Sequence, residues 1–396
     1  MLRIKTGITQ FLLINFVLFL SCYGRVMEFS SKIYVAGHTG LVGTSLVDNL
    51  RAAGYNNLVL RTSQELDLRN QQAVFEFFEK ERPEYVFLAA AKVGGILSNN
   101  TYKAEFIYDN LMIASNVIHA AYKFGVKKLL NLGSSCIYPK FAPQPLKEEY
   151  LLTGTLEATN EPYAVAKISA IKLCRYYNEQ YGTNFISVMP TNLYGQRDNF
   201  NLETAHVFPA LFRKCYLAKL LRAGDFEGIK QDLLRYFLGY GLDGKFEFTQ
   251  TGIREILAKI GVTESTITVW GSGKPLRELL YADELASACI FLMQNYNAAD
   301  IGECINIGSG QEISIKDMAL KIKEYVGFDG TIVFDASKPD GTPRKILDVS
   351  RLNMLGWHSK VTIDEGIKRT YAWYLEQSKK NRAIYQEING VRNVAL

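Results

Sequence analysis

A short buried strand that leads directly into a glycine-rich turn and a helix places the strongest constraint on how this chain can fold. The strand is Lys32-Ile33-Tyr34-Val35-Ala36, the turn spans residues 37–43, and an amphipathic helix follows from Ser45 to Arg51. This order is typical of the crossover that binds a dinucleotide, with the pyrophosphate against backbone N–H groups at the helix N-terminus. A glycine triplet alone is a weak signal, so the flanking strand and helix carry the prediction. The turn residues predicted to bind the dinucleotide are Gly37, His38, Thr39, Gly40, Leu41, Val42 and Gly43.

A tyrosine and a lysine four residues apart form the second signal. Tyr163 and Lys167 lie in a segment with helical periodicity, so they share one helix face. An ammonium beside a phenol is expected to lower the pKa of the phenol, and such a tyrosine can exchange a proton with a carbonyl or hydroxyl oxygen. Ser134, at the end of an upstream strand, is placed to hydrogen-bond the same oxygen. Many helices contain this pair by chance, so its weight comes from the glycine turn in the same chain.

Strand and helix patterns alternate along the rest of the chain. They predict an α/β fold: a Rossmann-type doubly wound parallel sheet with a smaller, discontinuous α/β substrate domain. The later predicted strands are 58–60, 85–91, 128–132, 185–189 and 303–307, and the predicted helices are 110–122, 211–221, 231–240, 279–294, 314–325 and 363–377. The predicted domains are an N-terminal extension (1–30), a dinucleotide-binding domain (31–200, rejoined by about 279–310) and a substrate-binding domain (201–278 and 311–396).

The stretch from about 223 to 265 is interpreted as an inserted helical segment within the substrate domain. It is either a helical hairpin on the surface or a flap over the substrate. Surface decoration without a catalytic role is the favoured interpretation.

Composition excludes several classes of protein. The net charge of +5 is not arranged in tracts, so it suits an anionic small molecule and gives no argument for nucleic acid. The six cysteines form no C-x-x-C pair, which indicates reduced thiols and predicts no metal site. Residues 1–26 resemble a secretory segment, but the rest of the chain favours an upstream extension of the reading frame before Met27. We therefore expect a cytoplasmic protein, with a membrane contact only if that segment is retained.

Four further segments carry a family resemblance that covers the chain from about Lys32 almost to its C-terminus. They are Ala89-Ala90-Ala91-Lys92-Val93-Gly94-Gly95, Gly133-Ser134-Ser135-Cys136-Ile137-Tyr138-Pro139, Asn160-Glu161-Pro162-Tyr163 and Pro190-Thr191-Asn192-Leu193-Tyr194-Gly195. With the glycine turn and the Tyr163–Lys167 pair, they resemble the extended short-chain dehydrogenases/reductases. Within these, they resemble the GDP-L-fucose synthase family of GDP-4-keto-6-deoxy-D-mannose 3,5-epimerase-4-reductases.

The resemblance implies NADP as the cofactor, a GDP-sugar as the substrate and pairing into a homodimer. The cofactor-binding residues that it implies beyond the glycine turn are Arg61, Asp67, Leu132, Gly133, Ser134, Ser135, Tyr163, Lys167, Pro190, Thr191, Asn192, Leu193 and His206. Many relatives carry arginines where this chain has Thr39 and Ser63, which weakens the case for NADP over NAD. Threonine and serine can still hydrogen-bond a phosphate.

The resemblance also assigns epimerisation chemistry to Cys136 and His206, and reduction to Ser134, Tyr163 and Lys167. A 4-ketose has acidic protons at C3 and C5, and a thiol and an imidazole can exchange acid and base roles near neutral pH. In isolation, a buried structural cysteine and an interior histidine would be the simpler interpretation. By the same resemblance, the GDP-sugar is expected to contact Lys214, Trp270, Arg277 and Asp340.

Three alternatives remain open at this stage. A sugar 4-epimerase would use Tyr163 and leave Cys136 and His206 idle. A 4,6-dehydratase carries a Thr-Asp-Glu triplet where this chain has Ser134-Ser135-Cys136. A nicotinamide-sensing protein would tolerate loss of Tyr163 and Lys167, and both are present.

Overall fold

The computed structural model describes residues 27–338 and 340–393, so the segment 1–26 and its interpretation as an upstream extension lie outside the described residues. The strands are β1 (Ile33–Ala36), β2 (Leu58–Val59), β3 (Tyr85–Leu88), β4 (Lys128–Leu132), β5 (Phe185–Pro190), β6 (Asn192–Tyr194), β7 (Thr266–Trp270), β8 (Leu276–Tyr281), β9 (Ile305–Ile307), β10 (Glu312–Ser314), β11 (Thr331–Asp335) and β12 (Arg344–Lys345).

The helices complete the list of elements. They are α1 (Leu41–Ala52), α2 (Gln71–Glu81), α3 (Ile96–Thr101), α4 (Lys103–Lys123), α5 (Glu161–Tyr181), α6 (Val207–Arg222), α7 (Phe226–Arg235), α8 (Gln250–Lys259), α9 (Ala282–Asn295), α10 (Ala298–Ile301), α11 (Ile315–Val326), α12 (Ser350–Met354) and α13 (Ile363–Asn393). Two single 3₁₀ turns lie at Ser135–Ile137 and Glu148–Tyr150.

Six parallel strands form the main sheet, in the order β2-β1-β3-β4-β5-β9. Chain order reverses between β1 and β3, and such a switch point opens a crevice at the carboxyl ends of the strands. The strands read as continuous apolar runs because helices cover both faces of the sheet. Helices α2, α4 and α5 pack on one face, and α1 and α9 pack on the other. The predicted doubly wound fold is confirmed.

A second apolar core lies beyond the end of β5. A sheet of order β10-β8-β12, joined by β6, and the pair β11-β7 belong to this region. Helices α6, α7, α8, α11 and α13 surround a core rich in aromatic side chains. The fully buried Arg213 fastens α6 to α7 through the Asp232 carboxylate, at 2.8 Å from Nε.

Two predicted helices differ from the structure. The segment predicted as helix 279–294 begins as strand, because Leu279–Tyr281 belongs to β8 and pairs with β6; the helix starts at Ala282. A short apolar run does not distinguish a buried strand from a helix. The helix predicted at 231–240 ends at Arg235, and residues 236–249 are irregular, so the inserted segment is two separate helices. Among the described residues, no helix combines the length and apolar character needed to cross a bilayer.

Candidate active site

The glycine turn between β1 and α1 is shaped by close backbone approaches. Gly37 has φ +81°, and a Cβ added there would lie 2.8 Å from the backbone of Ala90, at the end of β3. A Cβ on Gly43 would lie 2.0 Å from the Gly37 carbonyl oxygen. Only glycine fits at these two positions. The two glycines therefore let the turn pack closely against the backbone after β3 and the first turn of α1.

The Tyr163–Lys167 pair lies on α5 beside the end of β4. The Lys167 Nζ is 5.7 Å from the centre of the Tyr163 ring and donates a hydrogen bond of 2.6 Å to the Leu132 carbonyl oxygen. Burial lowers the pKa of Lys167 to about 8. Burial also raises the pKa of Tyr163, although part of that residue's surface remains exposed. The expected lowering of the tyrosine pKa is therefore wrong: desolvation and the nearby Cys136 raise it by more than the Ser134 hydroxyl lowers it, and the phenol holds its proton.

Ser134 connects the tyrosine to the cysteine. It caps the 3₁₀ turn Ser135–Ile137, and its hydroxyl accepts from the Cys136 backbone N–H at 3.4 Å. The same hydroxyl lies near the Tyr163 phenol and the Cys136 thiol, and it acts to lower the pKa of both groups. Three of the predicted catalytic side chains therefore lie close together.

Cys136 is buried, with 8% of its surface exposed. Burial raises the pKa of its thiol, while Lys345, Ser134 and Lys167 act in the opposite direction. The Cys136 thiol is thus surrounded by two lysines and a hydroxyl. This environment suits a group that must alternate between thiol and thiolate.

His206 lies at the N-cap of α6, after the loop that follows β6. His206 is exposed to solvent. Partial desolvation and the charge of Lys345 both lower the pKa of His206. A backbone hydrogen bond fixes the loop that leads into His206: the Gly95 N–H donates to the Thr204 carbonyl oxygen at 3.1 Å. An added Cβ on Gly95 would lie 3.1 Å from the Ala205 oxygen.

The tetrapeptide Pro190-Thr191-Asn192-Leu193 runs from β5 into β6 at the same edge of the sheet. The Thr191 hydroxyl and the Asn192 side-chain amide both donate to the Glu278 carbonyl oxygen, at 3.3 and 3.1 Å. The predicted nicotinamide segment is therefore fixed to β8, in the second part of the molecule.

Two predicted cofactor residues are engaged elsewhere. The Arg61 guanidinium donates to the Glu81 carboxylate at 2.7 Å and lies 5.8 Å from the Phe77 ring centre, at the C-terminal end of α2. The Asp67 carboxylate accepts from the Arg69 side chain at 2.9 Å, which lowers the pKa of Asp67. Neither group points freely at the glycine turn, so their contacts with a cofactor stay predictions.

The predicted substrate residues fall in two neighbouring groups. Lys214 on α6 donates to the Thr268 carbonyl oxygen of β7 at 3.2 Å, and Trp270, at the end of that strand, is 64% exposed. Arg277 on β8 donates to the Thr342 carbonyl oxygen at 2.6 Å. Asp340 accepts hydrogen bonds from the Ser272 N–H and hydroxyl, which lower the pKa of its carboxyl. Burial lowers the pKa of Arg277, although the charge of Asp340 acts in the opposite direction.

Sequence reasoning missed two residues of this region. Lys345 is paired in register with Arg277 on the parallel strands β12 and β8, and its charge acts on both Cys136 and His206. Glu278 is fully buried, and its carboxylate accepts the Gly310 and Leu347 N–H groups at 2.8 and 2.9 Å. Neither belongs to a sequence motif, and Lys345 lies more than a hundred residues from both Cys136 and His206 in the chain. In the described ranges, no three His, Cys, Asp or Glu side chains form a group that could hold a metal ion.

Comparison with known proteins adds independent information. The model of the "NAD dependent epimerase/dehydratase family" matches residues 33–229 and 223–308. The chain is 51% identical to a putative GDP-L-fucose synthase 2 of Arabidopsis thaliana, over 89% of this chain and 94% of that protein. It is 46% identical to the GDP-L-fucose synthase of Escherichia coli K12, over 89% of this chain and 98% of that one.

Solved structures show the same similarity. A GDP-D-glycero-L-gluco-heptose synthase of Campylobacter jejuni, solved in the presence of NADPH, is 44% identical with a TM-score of 0.80, over 88% of this chain and 99% of that one. A GDP-L-fucose synthetase of Naegleria fowleri, bound to NADP, is 31% identical with a TM-score of 0.74, over 90% of this chain and 98% of that one.

Proposed function

The chain belongs to the NAD dependent epimerase/dehydratase family, and from that premise we propose that it converts GDP-4-dehydro-6-deoxy-D-mannose to GDP-L-fucose. The conversion is a 3,5-epimerisation followed by NADPH-dependent reduction of the C4 ketone. One observation carries the proposal: the Ser134 hydroxyl lies near both the Tyr163 phenol, suited to reduction, and the Cys136 thiol, suited to epimerisation. A single sugar ring can therefore meet both sets of groups.

NADP is the cofactor, and the glycine turn fits it. Gly37 and Gly43 let the turn pack tightly on neighbouring backbone, which supports the α1 N-terminus as the place where a pyrophosphate meets backbone N–H groups. The residues that would hold the cofactor are the turn 37–43, the segment 132–135, Lys167 and the segment 190–193. When bound, NADPH supplies the hydride for C4.

Tyr163 gives its proton to the C4 oxygen during reduction. Burial raises the pKa of this phenol, so it is protonated at neutral pH and ready to act as an acid. Ser134 donates a hydrogen bond to the same oxygen. Lys167, fixed on the Leu132 carbonyl, keeps a positive charge beside the tyrosine as the proton leaves.

Cys136 and His206 move the protons on C3 and C5. The ketone at C4 delocalises the electron pair left when either proton is removed, which makes an enolate accessible. The Cys136 thiolate and the neutral His206 imidazole are both bases, and their conjugate acids return protons to carbon. The positive charge of Lys345 acts to lower the pKa of both Cys136 and His206.

The GDP portion is bound by Lys214, Trp270, Arg277 and Asp340. Lys214 and Arg277 have burial-lowered pKa values and no carboxylate hydrogen bond among the described residues, so a diphosphate is their natural counter-ion. The exposed face of Trp270 offers a flat apolar surface to a base or sugar. The Asp340 carboxylate is placed to accept hydrogen bonds from hydroxyl groups of the GDP-sugar.

The protein works as a cytoplasmic homodimer in this proposal, and the chain divides into the two domains predicted from its sequence. The helices α4 and α5 pack side by side and expose Tyr108 (60%) and Tyr176 (53%), large side chains that a second copy could cover. The five cysteines in residues 27–338 are free and buried, which suits a reducing compartment.

A second candidate is a GDP-heptose synthase or reductase. The 44% identity to the Campylobacter heptose synthase favours it, because that identity is close to the values for the fucose synthases. The substrate of such an enzyme differs from that of a fucose synthase in the group at C6 of the sugar.

The experiment that separates these activities uses the 4-keto-6-deoxy-mannose nucleotide, NADPH and deuterated water. We expect the wild-type protein to consume NADPH and to place deuterium at C3 and C5. Cys136→Ser should lose the deuterium exchange and still bind NADPH, whereas Cys304→Ser, at another buried free thiol, should retain the exchange. Full exchange in Cys136→Ser would refute the assignment.

A further inference from the structure

The strand β12 holds an unpaired cation next to the epimerising groups. Lys345 is half-buried, and it forms no ion pair with any described carboxylate. A lysine in such a position has lost part of its hydration without gaining a counter-ion. An anionic partner for it must come from the site itself.

Backbone contacts on both sides fix where Lys345 lies. On one side, its strand pairs in parallel with β8, in the register Lys345 to Arg277, and the Leu347 N–H donates to the buried Glu278 carboxylate at 2.9 Å. On the other side, Ile346 and Leu146 are joined by a backbone hydrogen bond of 2.8 Å. Leu146 lies ten residues after Cys136, in the loop that follows the 3₁₀ turn Ser135–Ile137, so this hydrogen bond connects β12 to that loop.

Side-chain orientation on β12 separates Lys345 from its neighbour. Successive residues of a strand point to opposite faces. Arg344 is paired with Glu312 at 2.7 Å, on the side away from the thiol. Lys345 faces the other way, where its charge acts on Cys136, His206 and Arg277.

We propose that Lys345 is the counter-ion of the Cys136 thiolate and makes this cysteine a competent base in the epimerisation. The inference rests on the proposed function for its role in the reaction, but the pairing itself can be tested without any substrate. The groups that face the thiol are Lys345 from β12, Lys167 and Tyr163 from α5, and Ser134 from the same loop. Lys167 is held by the Leu132 carbonyl, which leaves Lys345 as the cation without another hydrogen-bond acceptor among the described groups.

The direct test is the alkylation of Cys136 by iodoacetamide as a function of pH, because only the thiolate reacts. Mass spectrometry of the peptide that contains Cys136 reports this site separately from the other cysteines. We expect Lys345→Met to react about tenfold more slowly near neutral pH, with its reaction profile moved to higher pH by about one unit. Lys345→Arg should restore the reaction, and the matched control Arg344→Met should leave it unchanged. An unaltered profile in Lys345→Met, in protein with wild-type thermal stability and NADPH affinity, would overturn the pairing.

A second measurement assigns the role in the reaction. With the keto-sugar nucleotide in deuterated water, Lys345→Met should incorporate deuterium at C3 and C5 about tenfold more slowly than the wild-type protein. Its affinity for GDP should stay within about twofold of wild type. A loss of GDP affinity without a change in alkylation would instead make Lys345 a phosphate ligand and contradict the proposal. If the wild-type protein exchanges no deuterium at all, the proposed function fails, and the alkylation profile still decides the pairing.

Discussion

The Lys167 ammonium donates a hydrogen bond of 2.6 Å to the carbonyl oxygen of Leu132, the last residue of β4. This contact ties α5, which carries Tyr163, to the strand that leads into Ser134. Lys167 is 7% exposed, so few water molecules compete for its protons. The relative position of the tyrosine and the serine therefore depends on a lysine that is itself buried.

Tyr163→Phe removes the proton donor and leaves the ring in place. We expect C4 reduction to fall by a factor of about 10² to 10⁴, the usual contribution of a general acid. Deuterium exchange at C3 and C5 should persist, because Cys136 and His206 are intact. Tyr177→Phe, on the same helix, is the control and should reduce the ketone normally. Loss of both activities in Tyr163→Phe would show that the phenol is needed to bind the sugar.

The reductive half-reaction should depend on the charge of Lys167. Burial lowers the pKa of this lysine to about 8, so the ammonium is present below that pH and is lost as the pH rises through it. We therefore expect the rate of hydride transfer, measured in a single turnover, to decline above pH about 8. A rate that stays constant up to the ordinary pKa range of lysine would contradict this role.

Gly43→Ala should block cofactor binding, because the new Cβ would lie 2.0 Å from the Gly37 carbonyl oxygen. The matched control is Gly40→Ala in the same turn, where the Cβ would lie 3.6 Å from that oxygen and φ is −78°. NADPH affinity can be measured by nucleotide fluorescence. We expect at least about a hundredfold loss, roughly 3 kcal/mol, in Gly43→Ala and little change in Gly40→Ala. Equal affinities would mean that this turn does not hold the cofactor.

Lys128 supports the fold far from the reaction. Its buried ammonium donates to the carbonyl oxygens of Leu292, Met293 and Tyr296 at the C-terminal end of α9. Lys128→Met leaves these oxygens without that donor, so we expect a loss of about 3 kcal/mol in the free energy of unfolding by urea. Lys127→Met removes only an exposed pair with Glu84 and should cost about 1 kcal/mol or less.

The elements that local pattern determines were predictable from the sequence. The crossover at 32–51 and the strand Lys128–Leu132 follow from apolar runs and glycine punctuation, and the structure has them at those positions. The segment 279–281 was predicted as helix because its apolar residues also fit the start of α9. Pairing with β6, a contact across the molecule, decides that it is strand.

The candidate site was predictable where a motif existed. Ser134, Cys136, Tyr163 and Lys167 were predicted from motifs, and the structure brings them close together. The pKa of Tyr163 was predicted in the wrong direction because burial depends on packing that local spacing does not reveal. Lys345 and Glu278 have no motif, and only strand pairing brings them to the site.

The account rests on epimerisation and reduction of one ring in one site. Its most direct test is a complete turnover by the wild-type protein in deuterated water with unlabelled NADPH, followed by nuclear magnetic resonance of the purified nucleotide-sugar. We predict a 6-deoxy-L-galactose product with deuterium at C3 and C5 and ordinary hydrogen at C4. A product reduced at C4 that keeps hydrogen and the original configuration at C3 and C5 would contradict the account.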